Sequence, residues 1–277
     1  MFYQETELCV VYLNGEYWGQ YNIREHINAV SICKFEGWEG QEDDIDLVKA
    51  NTNVFRGSNE SFVELLTWIK NNDTSTDAAY DYIDQRIDIR NYIEYMAIEI
   101  FTGNTDTLNV KRYRNANADG KWRWVLYDLD WAFETDTDSI RRWITPGGMG
   151  NMKRTDNTLF IGCMKNPRFR DEFLTYFGEQ LATTFSTQNI YDKVMARHAL
   201  LEPELEKNAE RWDIPVSKYT SAVKYFLKYA LERPTKLLGY FQGALNLSEA
   251  DMQKYFGAAY EEIQRFNNSD VRKGAGA

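Results

Sequence analysis

Strand patterning in this chain stops about halfway along it. Two strand–turn–strand patterns fall in the first half, and every apolar pattern from about residue 157 onward is helical. A chain of 277 residues built this way predicts an α+β domain, β-rich at its N-terminal end and mainly helical in its C-terminal half. The first hairpin pairs Leu8–Leu13 with Tyr17–Ile23 across the two-residue turn signal Asn14-Gly15. The second pairs Val110–Arg114 with Trp122–Tyr127 across an Asn-rich turn ending at Asp119-Gly120. Between them, an acidic loop over Glu39–Asp46 runs into a short strand carrying Ile45, Leu47 and Val48. A helix with Phe62, Leu65, Leu66 and Ile69 on one face follows the capping pair Ser58-Asn59, and a second helix spans Asp88–Phe101. Trp18, Trp122 and Trp124 lie in alternating strands and are read as structural. Thr145–Asn151 is a glycine-rich loop.

In the second half, Asn166-Pro167 places a cap before a proline at the first helical position. One stripe then carries Phe169, Phe173, Leu174, Phe177 and Leu181; another carries Ile190, Val194, Met195, Leu201 and Leu205. A third, with Val223, Phe226, Leu227 and Leu231, is expected to end at Arg233-Pro234. A new helix with Leu237, Leu238, Phe241 and Leu245 is expected to start there, and a last helix follows the Ser248 cap through Ile263. All these stripes read as core faces, and the polar tail 267–277 reads as frayed. A single domain over 1–266 is expected.

Composition excludes several functions. A formal charge of −10 argues against general nucleic-acid binding, which needs clustered cations. Three cysteines without ligand spacing give neither a disulfide framework nor a zinc site, and two histidines, His26 and His198, give no His-rich one. No run of 18 apolar residues suggests a membrane span. Met1 leads into Phe2-Tyr3-Gln4-Glu5 without the pattern of a signal peptide. An aromatic content of 15% suits a core of large rings, or a carbohydrate-binding face.

The chemistry concentrates around the second hairpin. Asn104-Thr105-Asp106 and Asn109 precede it, and Asp128-Leu129-Asp130 follows it. The residues before the first strand and after the second of an antiparallel hairpin share its open end, so Asp106 and Asn109 are expected beside Asp128 and Asp130. If the strand continued, Asp128 and Asp130 would point to one face. Converging carboxylates repel unless a cation stands among them, and an all-oxygen set suits Mg²⁺ or Mn²⁺ held together with substrate phosphates. The same order of an Asp, an Asn, a hairpin and an Asp occurs in protein kinases. There Asp106 would be the catalytic base, and Asn109, Asp128 and Asp130 the metal group.

Three separated motifs resemble the CotH kinase-like family, the atypical protein kinases similar to spore coat protein H. They are Val11–Gly19 with Tyr21 and Glu25; Asn104–Asp106 with Asn109-Val110-Lys111 and Lys121–Asp130; and Asn166–Phe169 with Arg233-Pro234. The resemblance covers about residues 8 to 245. It implies a kinase-like fold, Mg-ATP as cofactor with nucleotide contacts from Glu25, Asn104 and Lys111, and phosphorylation of protein Ser/Thr. It also implies an upstream β-rich segment whose lysine clasps the phosphates. Residues 1–60 are therefore expected to be the remnant of an N-terminal lobe, with activity weakened. The alternative is a surface or spore-coat interaction module that retains the fold without turnover.

Overall fold

The computed structural model describes residues 1–149 and 156–269. The architecture is α+β, with two small sheets in the first half and helices through the second. Gly150 and Asn151 of the glycine-rich segment, and the tail from 270 onward, lie outside the described residues. The chain divides into two compact units. The first holds Met1–Gln4, His26–Phe177 and Tyr240–Asn246; the second holds Glu5–Glu25, Gly178–Gly239 and the described residues from Leu247.

The first hairpin belongs to the second unit. β1 (Thr6–Leu13) and β2 (Glu16–Arg24) form an antiparallel two-stranded sheet with a bulge between Val11 and Tyr12. Asn14 and Gly15 both take positive φ, 53° and 85°, the backbone that a two-residue hairpin turn requires.

In the first unit, α1 (Ala29–Glu36) starts at a reciprocal cap in which Asn28 and Ser31 bond each other's backbone, and it ends at Gly37. β3 (Ile45–Lys49) and β4 (Asn53–Arg56) follow, then α2 (Glu60–Asn71), α3 (Asp77–Asp84) and α4 (Ile89–Thr102). At the start of α2 the cap differs from expectation: Asn59 makes no side-chain cap bond, and Ser58 Oγ accepts from Glu60 N instead. β5 (Lys111–Asn115) and β6 (Arg123–Val125) complete a sheet of order β4-β3-β5-β6, antiparallel throughout. Alternation along β5 sends Lys111 and Tyr113 to one face and Arg112 and Arg114 to the other. Tyr113 packs with Phe2, Ile32, Ile45, Leu47 and Val125. On the opposite face Trp122 and Trp124 are buried against Phe62 of α2, and Trp124 also meets Tyr92 of α4. Both tryptophans are structural, as their strand positions suggest.

After α5 (Ser139–Ile144) and α6 (Thr158–Lys165), α7 (Pro167–Ala182) begins where Asn166 Oδ1 accepts from the N–H groups of Arg168 and Phe169. Its stripe from Phe169 to Leu181 is buried, as its spacing predicts. α8 (Thr187–Leu201), α9 (Leu205–Trp212), α10 (Val216–Leu245) and α11 (Glu249–Asn267) follow, the last capped by Ser248. Within the second unit α7 meets α11 closely: a Cβ on Gly178 would lie 1.8 Å from the Tyr255 carbonyl oxygen. Among the described residues no helix is long and apolar enough to cross a membrane.

Two helical expectations are corrected. α10 runs through Pro234 instead of ending there. Proline costs about 3 kcal/mol inside a helix, but Tyr229, Leu237 and Leu238 on either side are buried, and burying a leucine side chain contributes roughly 1.5–3 kcal/mol. Arg233 is fully buried and hydrogen-bonded to Tyr229. The stripes from Ile190 to Leu205 and from Val223 to Leu231 are not core faces: their residues are half-buried or, at Met195 and Phe226, exposed. Spacing reports an apolar face and not whether a neighbour covers it.

Candidate functional site

The candidate site is assembled where strand pairing stops at the open end of β5–β6, inside the first unit. α4 ends at Gly103, whose φ of 64° turns the chain and lets its N–H reach Glu99 O. The turn buries Asn104, whose Oδ1 accepts from Asp106 N at 3.0 Å. Asn109 N then donates to Asp106 O at 3.3 Å, closing a four-residue turn with Asp106 and Asn109 at its ends. No described residue donates to the Asp106 carboxylate, which is half-buried.

On the return side, Tyr127 donates its hydroxyl to Asn109 Oδ1 at 2.6 Å, and Asn109 Nδ2 donates to the Asp128 carboxylate. Thr105 donates from N and Oγ1 to Trp131 O, at 3.2 and 3.1 Å. Burial raises the Tyr127 pKa first, and the charges of Asp128, Asp106 and Glu99 add to it, so these four groups share one neighbourhood. Asp128 takes a left-handed backbone, φ 58°, which costs a non-glycine residue about 1–2 kcal/mol.

Asp130 departs from the strand argument. β6 ends at Val125, so the two-residue period does not extend to 128 and 130. Asp130 sits in an exposed turn closed by Ala132 N donating to Leu129 O at 3.2 Å, and it bonds no described residue. Among the described residues, no three His, Cys, Asp or Glu side chains stand together closely enough to hold one metal ion. The donor set actually grouped is Asn109 with Asp128, beside Asp106. That set fits Mg²⁺, which is commonly held by one or two carboxylates and completed by waters and phosphate oxygens.

Lys111 opens β5 on the same side. Its Nζ lies 4.5 Å from the centroid of the Tyr127 ring. Burial lowers its pKa, and so does Lys49, its partner in the β3–β5 register, while Asp128 opposes them. A pocket of about 260 Å³ beside it is lined by Lys111 together with His26, Leu47, Phe55 and Arg56. Glu25 belongs to the second unit, where it follows β2 and donates its backbone N–H to Glu5 O.

Sequence reasoning passed over Glu99. It is 2% exposed, bonded to Tyr95 and Asn104, and its pKa is pushed up to about 7, mainly by burial, with Asp106 adding to the rise. The burial follows from α4 itself, where Asn91, Tyr92, Tyr95 and Phe101 are buried as well as Ile89, Ile93, Met96, Ala97 and Ile100. A helix covered nearly all round leaves no exposed side for a glutamate.

A family model described as CotH kinase protein matches residues 1–237. Among curated proteins, invasin CotH2 of the fungus Rhizopus delemar is 22% identical over 241 residues, an alignment that covers 76% of this chain and 40% of that protein. The chain thus spans about two fifths of the length of this relative. With a family model matching most of its length and the hairpin motifs in that family's order, the chain belongs to the CotH family.

Proposed function

We propose that this domain has a kinase-like fold, binds Mg-ATP at the open end of β5–β6, and transfers phosphate to Ser or Thr hydroxyls of a protein substrate. The observation that carries the reading is the bonded chain Tyr127–Asn109–Asp128 beside an Asp106 carboxylate that no described residue engages. Asn109 and Asp128 would hold the metal, with Asp130 contributing from its exposed turn. Magnesium, when bound, neutralises phosphate charge and orients the γ-phosphoryl group.

Each remaining role falls to a side chain of this domain. Lys111 supplies positive charge to the phosphates, and an anion there offsets its repulsion with Lys49. Asn104, bonded to Asp106 N and to Glu99, fixes the turn that aims Asp106, a positioning role. The substrate oxygen attacks the γ-phosphorus, the bond to the β-phosphate oxygen breaks and ADP leaves. Asp106 takes the hydroxyl proton. Because phosphoryl transfer is mainly positioning and charge stabilisation, no covalent nucleophile is required.

Asp106→Asn should abolish transfer of radiolabelled phosphate from ATP to a Ser-rich basic protein while leaving nucleotide affinity within about threefold. The conservative change keeps the side chain's size and removes its ability to take a proton. Undiminished transfer by the variant would remove Asp106 from the reaction. Nucleotide binding with no transfer by the wild-type domain would favour the interaction-module reading instead.

A further inference from the structure

The two outer edges of the β1–β2 sheet differ. On β2, the Gln20 N–H donates to Asn208 Oδ1 at 3.0 Å, and Gly19 packs so closely that an added Cβ would lie 2.6 Å from Trp212 Nε1. The outer edge of β1 pairs with no other strand among the described residues. Glu25 N donates to Glu5 O at 2.9 Å, which sets the phase of the ladder: Glu7, Cys9 and Val11 also direct their backbone groups at β2. Thr6, Leu8 and Val10 therefore turn their N–H and C=O groups outward, where no described residue bonds them.

This edge borders a groove of about 490 Å³, lined by every residue from Thr6 to Val10 and, from α8, by Arg197, Leu200 and Leu201. The groove lies wholly within the second unit. Gln20, opposite Val10, donates Nε2 to Leu201 O at 2.8 Å, which puts α8 on the face that carries Thr6, Leu8 and Val10. Leu200 there is 67% exposed. Open strand edges are usually guarded by lysine, proline or a bulge. None of these occurs from Thr6 to Val11, and the bulge comes only after Val11. A two-stranded sheet is itself marginal, and further strands stabilise it.

We propose that β1 is a dimerisation edge: two copies of this chain pair β1 with β1, antiparallel about a two-fold axis at Leu8, to make one four-stranded sheet. A second copy presents the same open edge in the same phase, so one surface supplies both halves of the interface. Charge then selects the register. An axis at Thr6 sets Glu5 opposite Glu7, and an axis at Glu7 sets Glu7 opposite itself; like charges directly opposite are destabilising. Axes at Cys9 and Val10 slide the pairing into the bulge and the turn. The axis at Leu8 sets Glu7 opposite Cys9 and Thr6 opposite Val10, opposes no charges, and satisfies every outward group from Thr6 to Val10. It also lays Leu8 and Val10 of the second copy on the groove side, where Leu200 is exposed. The edge belongs to the second unit, so the inference does not rest on the nucleotide reading.

Sedimentation velocity on the full chain should show a reversible dimer. Val10→Pro removes an outward N–H and none that bonds β2, so it should shift the protein to monomer with an unchanged far-ultraviolet spectrum. Two substitutions at Cys9 test the register without a proline in the hairpin. Cys9→Lys, opposite Glu7 of the second copy, should tighten the dimer about fivefold, and Cys9→Glu should loosen it about fivefold. Glu7→Cys should form disulfide-linked dimers with the native Cys9 of the second copy under mild oxidation, because opposed residues outside the hydrogen-bonded pairs stand about 4.5 Å apart between Cα atoms. Cys9→Ser in that background should prevent the link. A monomer at every concentration, a dimer indifferent to both charges at position 9, or cross-linking that persists without Cys9 would each overturn the proposal. A chain whose edge takes a foreign strand instead gives the first of these results.

Discussion

The β1–β2 hairpin pairs nearly its whole length through a two-residue turn, whereas β5–β6 pairs only three positions and opens into long loops. In the first hairpin the ladder satisfies the backbone groups between the strands, and side chains such as Tyr12 and Ile23 remain exposed. In the second the strands are buried in a four-stranded sheet, and the loops beyond them bond one another through Thr105, Asn109 and Tyr127. Long regular pairing leaves few groups between the strands free for a ligand. Short pairing on a rigid, buried base leaves loop carboxylates held in position yet unspent.

The comparison breaks most visibly in stability. Trp124→Ala removes a buried ring packed on Tyr92 and Phe62 and should cost about 3–5 kcal/mol by urea unfolding. Ile23→Ala on β2, where the side chain is 67% exposed, should cost under about 1 kcal/mol. Equal losses would mean that burial does not separate the two hairpins.

Glu99 sharpens the same contrast through pH. Its folded pKa of about 7 lies above its ordinary value of 4.5, so the folded state holds the proton more tightly. The stability contributed by this protonated carboxyl is fully present below pH 4.5 and is lost as pH rises through 7. Glu99→Gln should therefore raise stability on the order of 3 kcal/mol at pH 8 and change it little at pH 4. A pH-independent difference in melting temperature would show that Glu99 is not held protonated. The smallest effect belongs to the tight turn. Gly15→Ala, at φ 85°, should cost roughly 1 kcal/mol and leave nucleotide affinity untouched. A loss of affinity there would tie the first hairpin to binding.

What was legible in the sequence follows from what each signal encodes. Asn14-Gly15 encodes a backbone conformation, so the turn and its strands were readable. The hairpin rule likewise foretold that Asn109 would approach Asp128, because antiparallel pairing alone sets that proximity. It did not foretell Asp130, because a two-residue period holds only while the strand continues, and β6 stops at Val125. Glu99 and Arg112 were missed because a single charged residue in a helix or strand ordinarily faces water; their burial is set by distant neighbours. Pro234 misled for the same reason: local propensity argued for a break, and packing of Tyr229 and Leu237 overrode it.

The most direct test of the central claim is calorimetric titration of Mn-ATP into the wild-type domain, Asp128→Ala and Asp119→Ala. Asp119 is a carboxylate at the closed end of the same hairpin, paired with Arg123. The account predicts metal-dependent nucleotide binding that falls at least tenfold in Asp128→Ala and stays within twofold of wild type in Asp119→Ala. Equal affinity in all three proteins, or binding indifferent to the metal, would contradict it.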